Sequence, residues 1–415
     1  MIRHPSASKI KSMKIITDEK KIEEILTRGV ENVYPDRASL KKLLLSGKRI
    51  RLYCGYDPTA PALHIGHGIT IRKLAEFQKL GHEVIFLYGD FTARIGDPTD
   101  KAAARKELSK AQVLKNLKGW KSQIKNLINI KKVVFKFNSQ WLGKMSFTDL
   151  LKLSSNFTAQ QTLARDMFKK RLSEGKDLYL HEFLYPIMQA YDSVAMDVDL
   201  EIGGNDQTFN MLAGRTLMKK MKNKEKFVLT TKLLEDPTGK KMGKSEGNMV
   251  ALNDTPENMF GKVMSWPDGM IVPAFEILTD IPMEIVRKIE SDMKKGVNPM
   301  NFKMQLAKEA VNVFLGARAA EKAGDNFKRV FQEKQKPLDI QTVKVEDRDG
   351  KIGVLDLFVK AGLAKSNSEM RMLIKEKAIR VDDDLIHRED LVLEIPEQGL
   401  LLQRGKKLFK RAVKK

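Results

Sequence analysis

The sequence predicts an α/β protein with a parallel sheet near its amino-terminal end, followed by helices and a smaller α+β unit. A strand, a turn, a helix and a second strand follow one another between residues 49 and 90. Mostly helical patterns with short apolar runs then extend to about residue 335, and a separate unit follows a charged stretch. At 415 residues, the chain is long enough for two or three domains.

The first strand is predicted from "RIRLYCGYD" (49–57), in which apolar residues alternate with others. "DPTAP" ends this strand, and apolar residues recur at helical spacing over 71–80. Gly81 stands where a C-terminal cap belongs, and "EVIFLYGD" (83–90) has the pattern of a buried strand. Because βαβ units imply a parallel sheet covered by helices, we predict a Rossmann-like domain with ligands beyond the carboxyl ends of its strands.

Composition shifts predict five successive segments. They are a disordered extension over 1–13, the Rossmann-like domain with an inserted helical segment over 14–253, a helical domain over 254–335, a linker over 336–351 and a small unit over 352–415. The opening residues contain Ser and Lys but no acids, which is also a feature of organellar transit segments; Met13 could itself be a start. Thr255 and Pro256 predict the cap and first turn of a helix.

The charge balance points to a polyanionic partner. The chain has 75 Lys and Arg against 53 Asp and Glu, a formal charge of +22. Nucleic acid is the expected partner, although an acidic membrane surface or a merely solvated basic surface would have the same composition. No run of 18 apolar residues exists, so we expect no membrane span. The single cysteine, Cys54, excludes an internal disulfide and fits the cytoplasm.

Two histidines stand three apart in "PALHIGHG" (61–68), at the start of the predicted helix. His64 and His67 could bind a metal, because imidazole is a common ligand. The remaining histidines form no second cluster and the paired thiolates of zinc sites are missing, so we expect no protein-bound metal. Two structural histidines are a further alternative. The interpretation we favour is a phosphate site, since a helix start offers donors and a favourable dipole to an anion.

A second candidate for phosphate binding is the glycine-rich loop "GKKMGKSEGN" (239–248). Lys241 and Lys244 flank Gly243, and lysines there act as mobile point charges near a phosphate. By itself such a stretch is often only a solvated basic loop. Together, the histidines and the lysines would hold two parts of a triphosphate and stabilise charge as pyrophosphate leaves.

These motifs resemble the class I aminoacyl-tRNA synthetases, and among them the bacterial tyrosyl enzymes. The resemblance rests on "LYCGYDPTAPALHIGHG", "LYPIMQAYDS", "EIGGNDQTFN" and the lysine loop, and runs from about residue 14 to the end. It departs at Asn205, where the family has Thr or Ser, and at Gly243, where the signature serine stands. The resemblance implies activation of L-tyrosine by ATP with Mg²⁺, transfer to tRNA(Tyr), a homodimer, and an anticodon-binding role for the helical domain.

A candidate amino-acid site lies in "YPIMQAYD" (185–192). On a helix Tyr185, Gln189 and Asp192 project from one face, although a polar surface stripe has the same spacing. Pro186 would sit in the first turn or kink the helix. The resemblance implies that five residues bind tyrosine. Tyr185, Gln189 and Asp97 would hold its amino group, whereas Tyr53 and Asp192 would hold its phenol hydroxyl.

The resemblance also implies an ATP site. His64, His67 and Thr59 would act on the triphosphate, over which Lys241 and Lys244 close. The adenylate would contact Asp57, Gly66, Gly204, Asp206, Gln207, Lys244 and Ser245, and Lys101 and Arg105 would meet the pyrophosphate. Taken alone, "GGNDQ" (203–207) and the Asp–Pro pair at 97–98 are more typical of turns.

The final segment resembles an S4 RNA-binding domain. In 354–384, Ser366 and Glu369 predict a capping box before a helix with one apolar and one basic face. The basic residues Lys365, Arg371, Lys375 and Lys377 would contact RNA, and "RGKKLFKR" (404–411) would form a closing strand. A solvated basic helix is the alternative, whereas an RNA contact should weaken steeply with salt.

Three other functions are compatible with parts of this pattern. A tryptophanyl-type ligase shares the motifs, but Tyr53 with Asp192 favours tyrosine. A small nucleotidyltransferase with the histidine motif is disfavoured by the chain length and the S4-like segment. A non-catalytic RNA-binding relative would have lost the histidines or lysines, and both are intact here. The predicted function is therefore tyrosine–tRNA ligase.

Overall fold

The computed structural model describes residues 14–97, 108–236, 238–239, 249–332, 340–346, 351–405 and 408–415. The chain divides into two compact units, residues 1–321 and 322–415. Several residues proposed above for the ATP site lie outside the described residues, namely Lys101, Arg105, Lys241, Lys244 and Ser245.

The first unit alternates strands and helices as predicted. Its strands are β1 (Val30–Tyr34), β2 (Arg51–Tyr56), β3 (Glu83–Tyr88), β4 (Val133–Phe137), β5 (Leu200–Gly204) and β6 (Phe227–Thr231). The helices up to β5 are α1 (Glu19–Thr27), α2 (Arg37–Leu45), α3 (Ile65–Lys79), α4 (Lys110–Leu117), α5 (Trp120–Ile124), α6 (Ser139–Leu142), α7 (Phe147–Ser154), α8 (Ala159–Leu163), α9 (Asp166–Ser173) and α10 (Leu180–Met196). Those after it are α11 (Thr208–Lys222), α12 (Pro256–Met264), α13 (Ile271–Leu278), α14 (Met283–Lys294), α15 (Met300–Leu315) and α16 (Ala317–Phe327). Helix α16 continues past residue 321 into the second unit, where a π turn over Lys328–Gln332 follows it. Short 3₁₀ turns in the first unit cover Thr92–Arg94, Ile130–Lys132, Asn205–Gln207 and Asp268–Met270.

The six strands form one sheet in the order β1-β6-β5-β2-β3-β4. All neighbours are parallel except β1, which pairs antiparallel with β6. The middle strands consist almost entirely of buried residues, as expected for a parallel sheet covered on both faces. This topology confirms the predicted Rossmann-like α/β class.

The β2–α3–β3 unit forms where its sequence pattern placed it. Helix α3 buries Ile71, Leu74 and Phe77 completely against the sheet. Its C-cap is Leu80, and Gly81 follows with φ +96°, a left-handed conformation that favours glycine. An added Cβ at Gly81 would also lie 2.6 Å from the Lys14 carbonyl oxygen. Glycine is therefore required here on two grounds.

The helices after β6 follow the expected signals. Thr255 caps α12 through its side chain, which accepts from the Asn258 backbone N–H, and Pro256 is the first residue of the helix. Of the two alternatives for Pro186 in α10, the first turn is excluded, because the proline lies inside the helix. The missing N–H at that position removes one intrahelical hydrogen bond.

The second unit contains β7 (Gln341–Val345), β8 (Lys351–Gly353), α17 (Val354–Lys360), α18 (Asn367–Lys375), β9 (Ile379–Val381), β10 (Asp384–Leu385), β11 (Val392–Glu394), β12 (Leu400–Arg404) and β13 (Leu408–Lys414). One sheet has the order β10-β9-β12-β13-β7, and β11 pairs with β8. Strand β7 lies inside the stretch predicted as a linker. Its alternating pattern, "QTVKV", is obscured in the sequence by the charged residues around it, and it pairs parallel with the closing strand β13.

Of the two hydrogen bonds in the predicted capping box of α18, only one forms. The Ser366 side chain accepts from the Glu369 backbone N–H, as expected. The Glu369 carboxylate instead accepts from the backbone of Lys365 at 2.6 Å and from Arg404 at 2.8 Å. It therefore joins α18 to β12. The predicted apolar face is confirmed, since Met370, Leu373 and Ile374 belong to the core of this unit.

In the part of the chain that the structure describes, no helix is both long and apolar enough to cross a membrane. Among the same residues, no group of three or more His, Cys, Asp and Glu side chains could hold a metal ion.

Candidate active site

The sheet order creates a crevice at the carboxyl ends of β2 and β5. From β2 the chain adds β3 and β4 on one side, and later adds β5 and β6 on the other. Ligands of doubly wound sheets bind at such a switch point. Gly55 in β2 is exposed although its neighbours Cys54 and Tyr56 are buried, so open space reaches the strand there. Asp57 and Thr59 follow β2 directly and are partly exposed.

The two histidines of the sequence motif lie at the start of α3. His64 is the N-cap residue, and its backbone N–H donates to Nδ1 of His67 at 3.1 Å. The two ring centroids are 3.8 Å apart. Gly66 allows this arrangement, because an added Cβ would lie 3.0 Å from the His64 ring. We call His64 and His67 with the first turn of α3 the histidine corner; its helix dipole favours anions.

A second segment of the chain is paired with the histidine corner. The Ile65 N–H donates to the Val250 carbonyl at 2.9 Å, and the Leu252 N–H donates to the Leu63 carbonyl at 2.8 Å. These bonds form an antiparallel bridge between His64 and Ala251. The stretch that follows the lysine motif in sequence is thereby fixed beside the histidines.

Helix α10 places Tyr185 and Asp192 in buried positions and leaves Gln189 partly exposed. Asp192 is buried and accepts from the indole N–H of Trp141 at 2.7 Å and from the Asn138 amide at 3.3 Å. Burial raises the pKa of Asp192 well above its usual value, although the hydrogen bonds from Trp141 and Asn138 act to lower it. A buried carboxyl with fixed donors is suited to pairing with one polar group of a ligand.

Tyr53 lies near Asp192 and is fully buried. Its hydroxyl and the Ser193 hydroxyl are 2.9 Å apart. Burial, with the nearby Glu201 and Asp192, raises the Tyr53 pKa well above its usual value, so the phenol stays protonated. Gln189 is partly exposed, and its amide donates to Glu201 at 3.1 Å. We call Tyr53, Gln189 and Asp192 the α10 pocket.

Tyr185, the third residue on this face of α10, is directed to Asp57 instead. Its hydroxyl donates to the Asp57 carboxylate at 2.9 Å, and Thr92 donates to the other oxygen at 2.7 Å. Burial of this carboxyl nevertheless raises the pKa of Asp57 to about 7. Gly89 permits the close approach, because an added Cβ would lie 1.9 Å from the Asp57 oxygen.

The residues after β5 complete the crevice. Gln207 donates to the Asp97 carboxylate at 2.7 Å, which joins the end of β5 to the loop after β3. Asp206 is exposed, and Gly204 leaves room for it, since an added Cβ would lie 2.6 Å from the Asp206 carboxylate. Gln207 therefore holds the Asp97 carboxylate close to the end of β5, where Asp206 also lies.

Several site residues are not anticipated by the sequence motifs. Trp141 and Asn138 hold Asp192, and Glu201 holds Gln189. A signal exists for two of them: Asn138 directly follows the short apolar run "KVVFKF" (132–137), and Glu201 is an acid within a buried strand. Trp141 carries no pattern that distinguishes it from a core residue.

The model of the family described as "tRNA synthetases class I (W and Y)" matches residues 45–332, more than half of the chain. The protein belongs to this class I family. Tyrosine–tRNA ligase of Carboxydothermus hydrogenoformans is 42% identical over 398 residues, covering 94% of this chain and 97% of that protein. Its Thermotoga maritima counterpart is 40% identical, covering 95% and 98%.

Solved structures from the class I family have the same fold. A C-terminally truncated mitochondrial tyrosyl-tRNA synthetase of Coccidioides posadasii has a TM-score of 0.59 at 25% identity, covering 74% of this chain and 91% of that one. The Archaeoglobus fulgidus tyrosyl-tRNA synthetase, solved with L-tyrosine, has a TM-score of 0.59 at 22% identity, covering 73% and 99%. Class I synthetases use ATP, which agrees with a crevice between β2 and β5.

In the second unit, the four predicted RNA-binding residues are all exposed. Lys365 precedes α18, Arg371 and Lys375 lie on it, and Lys377 follows it with φ 55°. Arg371 is also 3.2 Å from the Glu389 carboxylate, which neutralises part of its charge. The basic face is therefore present, but Arg371 contributes less net positive charge than it would without Glu389.

Proposed function

We propose that the protein is a tyrosine–tRNA ligase that activates L-tyrosine with ATP and transfers it to tRNA(Tyr). The α10 pocket carries this proposal. Tyr53 and Asp192 are buried hydroxyl and carboxyl groups on facing elements, and they lie beside the crevice in which class I synthetases use ATP. Tyrosine–tRNA ligases that match over nearly their whole length, at 42% and 40% identity, support the same substrate.

The proposed tyrosine site uses both ends of the amino acid. Tyr53 and Asp192 pair with the phenol hydroxyl. Tyr185, Gln189 and Asp97 surround the α-ammonium, where Gln189 and Asp97 are partly exposed toward the crevice. Because phenylalanine has no hydroxyl to pair with Tyr53 and Asp192, we expect discrimination of about 10⁴–10⁵, the figure known for tyrosyl enzymes as a class.

The proposed activation step is attack of the tyrosine carboxylate on the α-phosphorus of ATP. The carboxylate oxygen forms the new bond, and the bond to the bridging oxygen breaks as pyrophosphate leaves. His64, His67 and Thr59 stabilise the triphosphate, Lys241 and Lys244 close over it, and Lys101 and Arg105 meet the pyrophosphate. The bridge that fixes Ala251 beside His64 supports the role of the nearby lysine motif.

The adenylate would be held at the carboxyl ends of β2 and β5. Asp206 is exposed there and pairs with the ribose, and Gln207 and Asp57 lie beside the new acyl phosphate. Gly66, Gly204 and Ser245 line the rest of this site. Mg²⁺ accompanies ATP, with most of its ligands from phosphate and water. The terminal ribose hydroxyl of tRNA then attacks the acyl carbon and releases AMP.

The proposed active species is a homodimer. Phe147 and Leu151 on α7 are exposed, and Leu180 at the start of α10 is 85% exposed. Helices α7 and α10 pack together through Leu153 and Ile187, so the exposed residues belong to adjacent helices. Large apolar side chains in such a position fit a second copy of the chain. A Leu180→Asp variant should be monomeric by light scattering; an unchanged dimer would exclude this surface.

We propose the cytoplasm as the compartment of this reaction. The single cysteine, Cys54, is buried and unpaired with another thiol. Burial raises its pKa to about 12, so the thiol stays protonated and unreactive.

The experiment that tests the function is exchange of labelled pyrophosphate into ATP with tyrosine, phenylalanine or tryptophan. Tyrosine alone should support exchange at micromolar enzyme concentration. Exchange with tryptophan only would favour the other branch of the family, and no exchange with any of the three would exclude amino-acid activation. Charging of tRNA(Tyr) transcript then tests the second step.

A further inference from the structure

A completely buried ion pair lies behind the α10 pocket. Lys226, just before β6, has no exposed surface, and Glu201 on β5 is 2% exposed. The Lys226 ammonium donates to the Glu201 carboxylate and, at 3.0 Å, to the Met211 carbonyl. Apolar residues of the same volume are usually at least as stabilising as a buried ion pair. Folding stability alone therefore does not explain why two charged residues occupy these buried positions.

The Glu201 carboxylate contacts the α10 pocket through two side chains of α10. One oxygen accepts from the Gln189 amide at 3.1 Å. The other is 3.4 Å from the Ser193 hydroxyl, which in turn pairs with the Tyr53 hydroxyl. Glu201 and Tyr53 are direct neighbours in the β2–β5 register, so their side chains leave the sheet on the same face. The ion pair thus lies directly behind the α10 pocket and contacts it through Gln189 and Ser193.

The contact with Gln189 fixes the direction of its amide. A carboxylate can only accept, so the NH₂ group of Gln189 must face Glu201. The carbonyl oxygen of the amide is then directed away from Glu201, on a residue that is partly exposed. An α-ammonium is a donor only and requires such an oxygen. With no acceptor at position 201, the amide could present its NH₂ group to the ligand, which would repel an ammonium.

Lys226 supplies the charge that keeps the carboxylate in this role. An uncompensated carboxylate in a fully buried position is unfavourable, whereas a paired one with further donors is tolerated. The surrounding backbone is fitted to the lysine. An added Cβ at Gly214 on α11 would lie 2.6 Å from the Lys226 nitrogen and 2.9 Å from the Ser193 oxygen.

We propose that Glu201 and Lys226 are positioning residues that orient the Gln189 amide toward the α-ammonium of tyrosine. The inference rests on the proposed function, since it concerns the same amino-acid site. It assigns the buried pair a role in recognising one end of the substrate. Neither residue touches the ligand.

The test compares two competitive inhibitors of tyrosine-dependent pyrophosphate exchange. Tyramine keeps the phenol and the ammonium, whereas 3-(4-hydroxyphenyl)propanoate keeps the phenol and lacks the ammonium. The Glu201→Met/Lys226→Met double variant removes both charges together and leaves neither unpaired. We expect the KM for tyrosine and the inhibition constant of tyramine to rise about tenfold or more. The inhibition constant of the propanoate should change less than about twofold, and the KM for ATP should stay constant.

Two further variants separate positioning from general damage. Glu201→Gln/Lys226→Met restores an acceptor at position 201 and should recover part of the tyramine affinity. Lys73→Met removes another buried lysine, which pairs with Glu76 at 2.5 Å outside the α10 pocket. It should lower the melting temperature and leave the ratio of the two inhibition constants unchanged.

The ratio of inhibition constants decides the proposal. Equal weakening of both inhibitors, or no weakening of tyramine, would overturn it. If the double variant does not fold, the Glu201→Gln/Lys226→Met variant takes its place, and it should still weaken tyramine more than the propanoate; an unchanged ratio of the two inhibition constants in that variant would overturn the proposal as well. Absence of exchange in the wild-type protein would instead refute the proposed function, so the two failures are distinguishable.

Discussion

The α10 pocket and the histidine corner lie at the same crevice but are built differently. In the pocket, polar side chains are held by other buried side chains, as Asp192 is held by Trp141 and Asn138. At the corner, the histidines are held mainly through backbone, by the start of α3 and the bridge to Ala251. His64 and His67 also remain partly exposed.

This difference matches what each region has to recognise. An uncharged hydroxyl is distinguished from hydrogen only if its partners are buried, fixed and costly to leave unpaired. A triphosphate carries enough charge to be bound by a helix start and by lysines on a loop. Selectivity for the amino acid therefore requires the rigid α10 pocket. Stabilisation of the triphosphate charge requires only the more open histidine corner. Changes in the two regions should alter different kinetic constants.

Asp192→Ala should have the largest effect. Removing the carboxyl eliminates the group that we expect to distinguish tyrosine from phenylalanine, and the ratio of their kcat/KM values should fall by at least about 100-fold. Exchange assays with both amino acids measure this ratio. As a control, Trp141→Phe removes one donor to Asp192 and keeps the carboxyl, so its loss should be smaller. Retained discrimination in Asp192→Ala would refute the assignment of the phenol site.

His67→Asn should affect rate and not selectivity. Losing one donor to the developing charge lowers kcat by about 10²–10³-fold in comparable sites, while the KM for tyrosine should be nearly unchanged. Exchange assays at saturating ATP would show this. His82→Asn is the matched control, because His82 is a buried histidine outside the crevice, and it should change stability only. A raised KM for tyrosine in His67→Asn would contradict the separation of the two regions.

Asp57, which accepts from the Tyr185 and Thr92 hydroxyls after the end of β2, should make folding stability depend on pH. Burial raises its folded pKa to about 7, above the ordinary value of an aspartate. The folded state therefore binds more protons than the unfolded state between about pH 4 and 7, and the contribution of Asp57 to the unfolding free energy falls as pH rises through that window. Melting temperatures of wild type and Asp57→Asn from pH 5 to 8 should diverge as pH increases, with the variant less sensitive to pH. Parallel curves would exclude a raised pKa for this carboxyl.

The smallest effects are expected on the basic face of the second unit, where charge acts without a pocket. Lys375→Ala should reduce the slope of log affinity for tRNA against log salt by about 1. Arg371→Ala should reduce it less, because Glu389 already neutralises part of that charge. Filter binding at several salt concentrations gives both slopes. Identical slopes for wild type and Lys375→Ala would remove this residue from the RNA contact.

Local patterns are enough to predict much of the fold. The alternation in β2, the helical spacing in α3 and the glycine after it are signals between neighbouring residues, and the strand, the helix and the left-handed glycine that they predict are all present. Strand β7 escapes prediction because its pattern is short and its partner is distant in sequence. The positions of Tyr185, Gln189 and Asp192 on one helix follow from spacing alone. Which residues hold them does not, since Glu201 reaches Gln189 only after sheet and helix have packed together.

The bridge between His64 and Ala251 has a consequence for synthesis of the chain. The histidine segment leaves the ribosome well before Ala251 has been added. At typical translation rates the delay is on the order of 10–40 s. During that interval the backbone groups of Leu63 and Ile65 have no strand to pair with, and only solvent or a chaperone can occupy their place. Chains released after Asp192 but before Ala251 would contain the residues of the α10 pocket but an unfinished nucleotide end, so they would be targets for quality control before they could consume ATP.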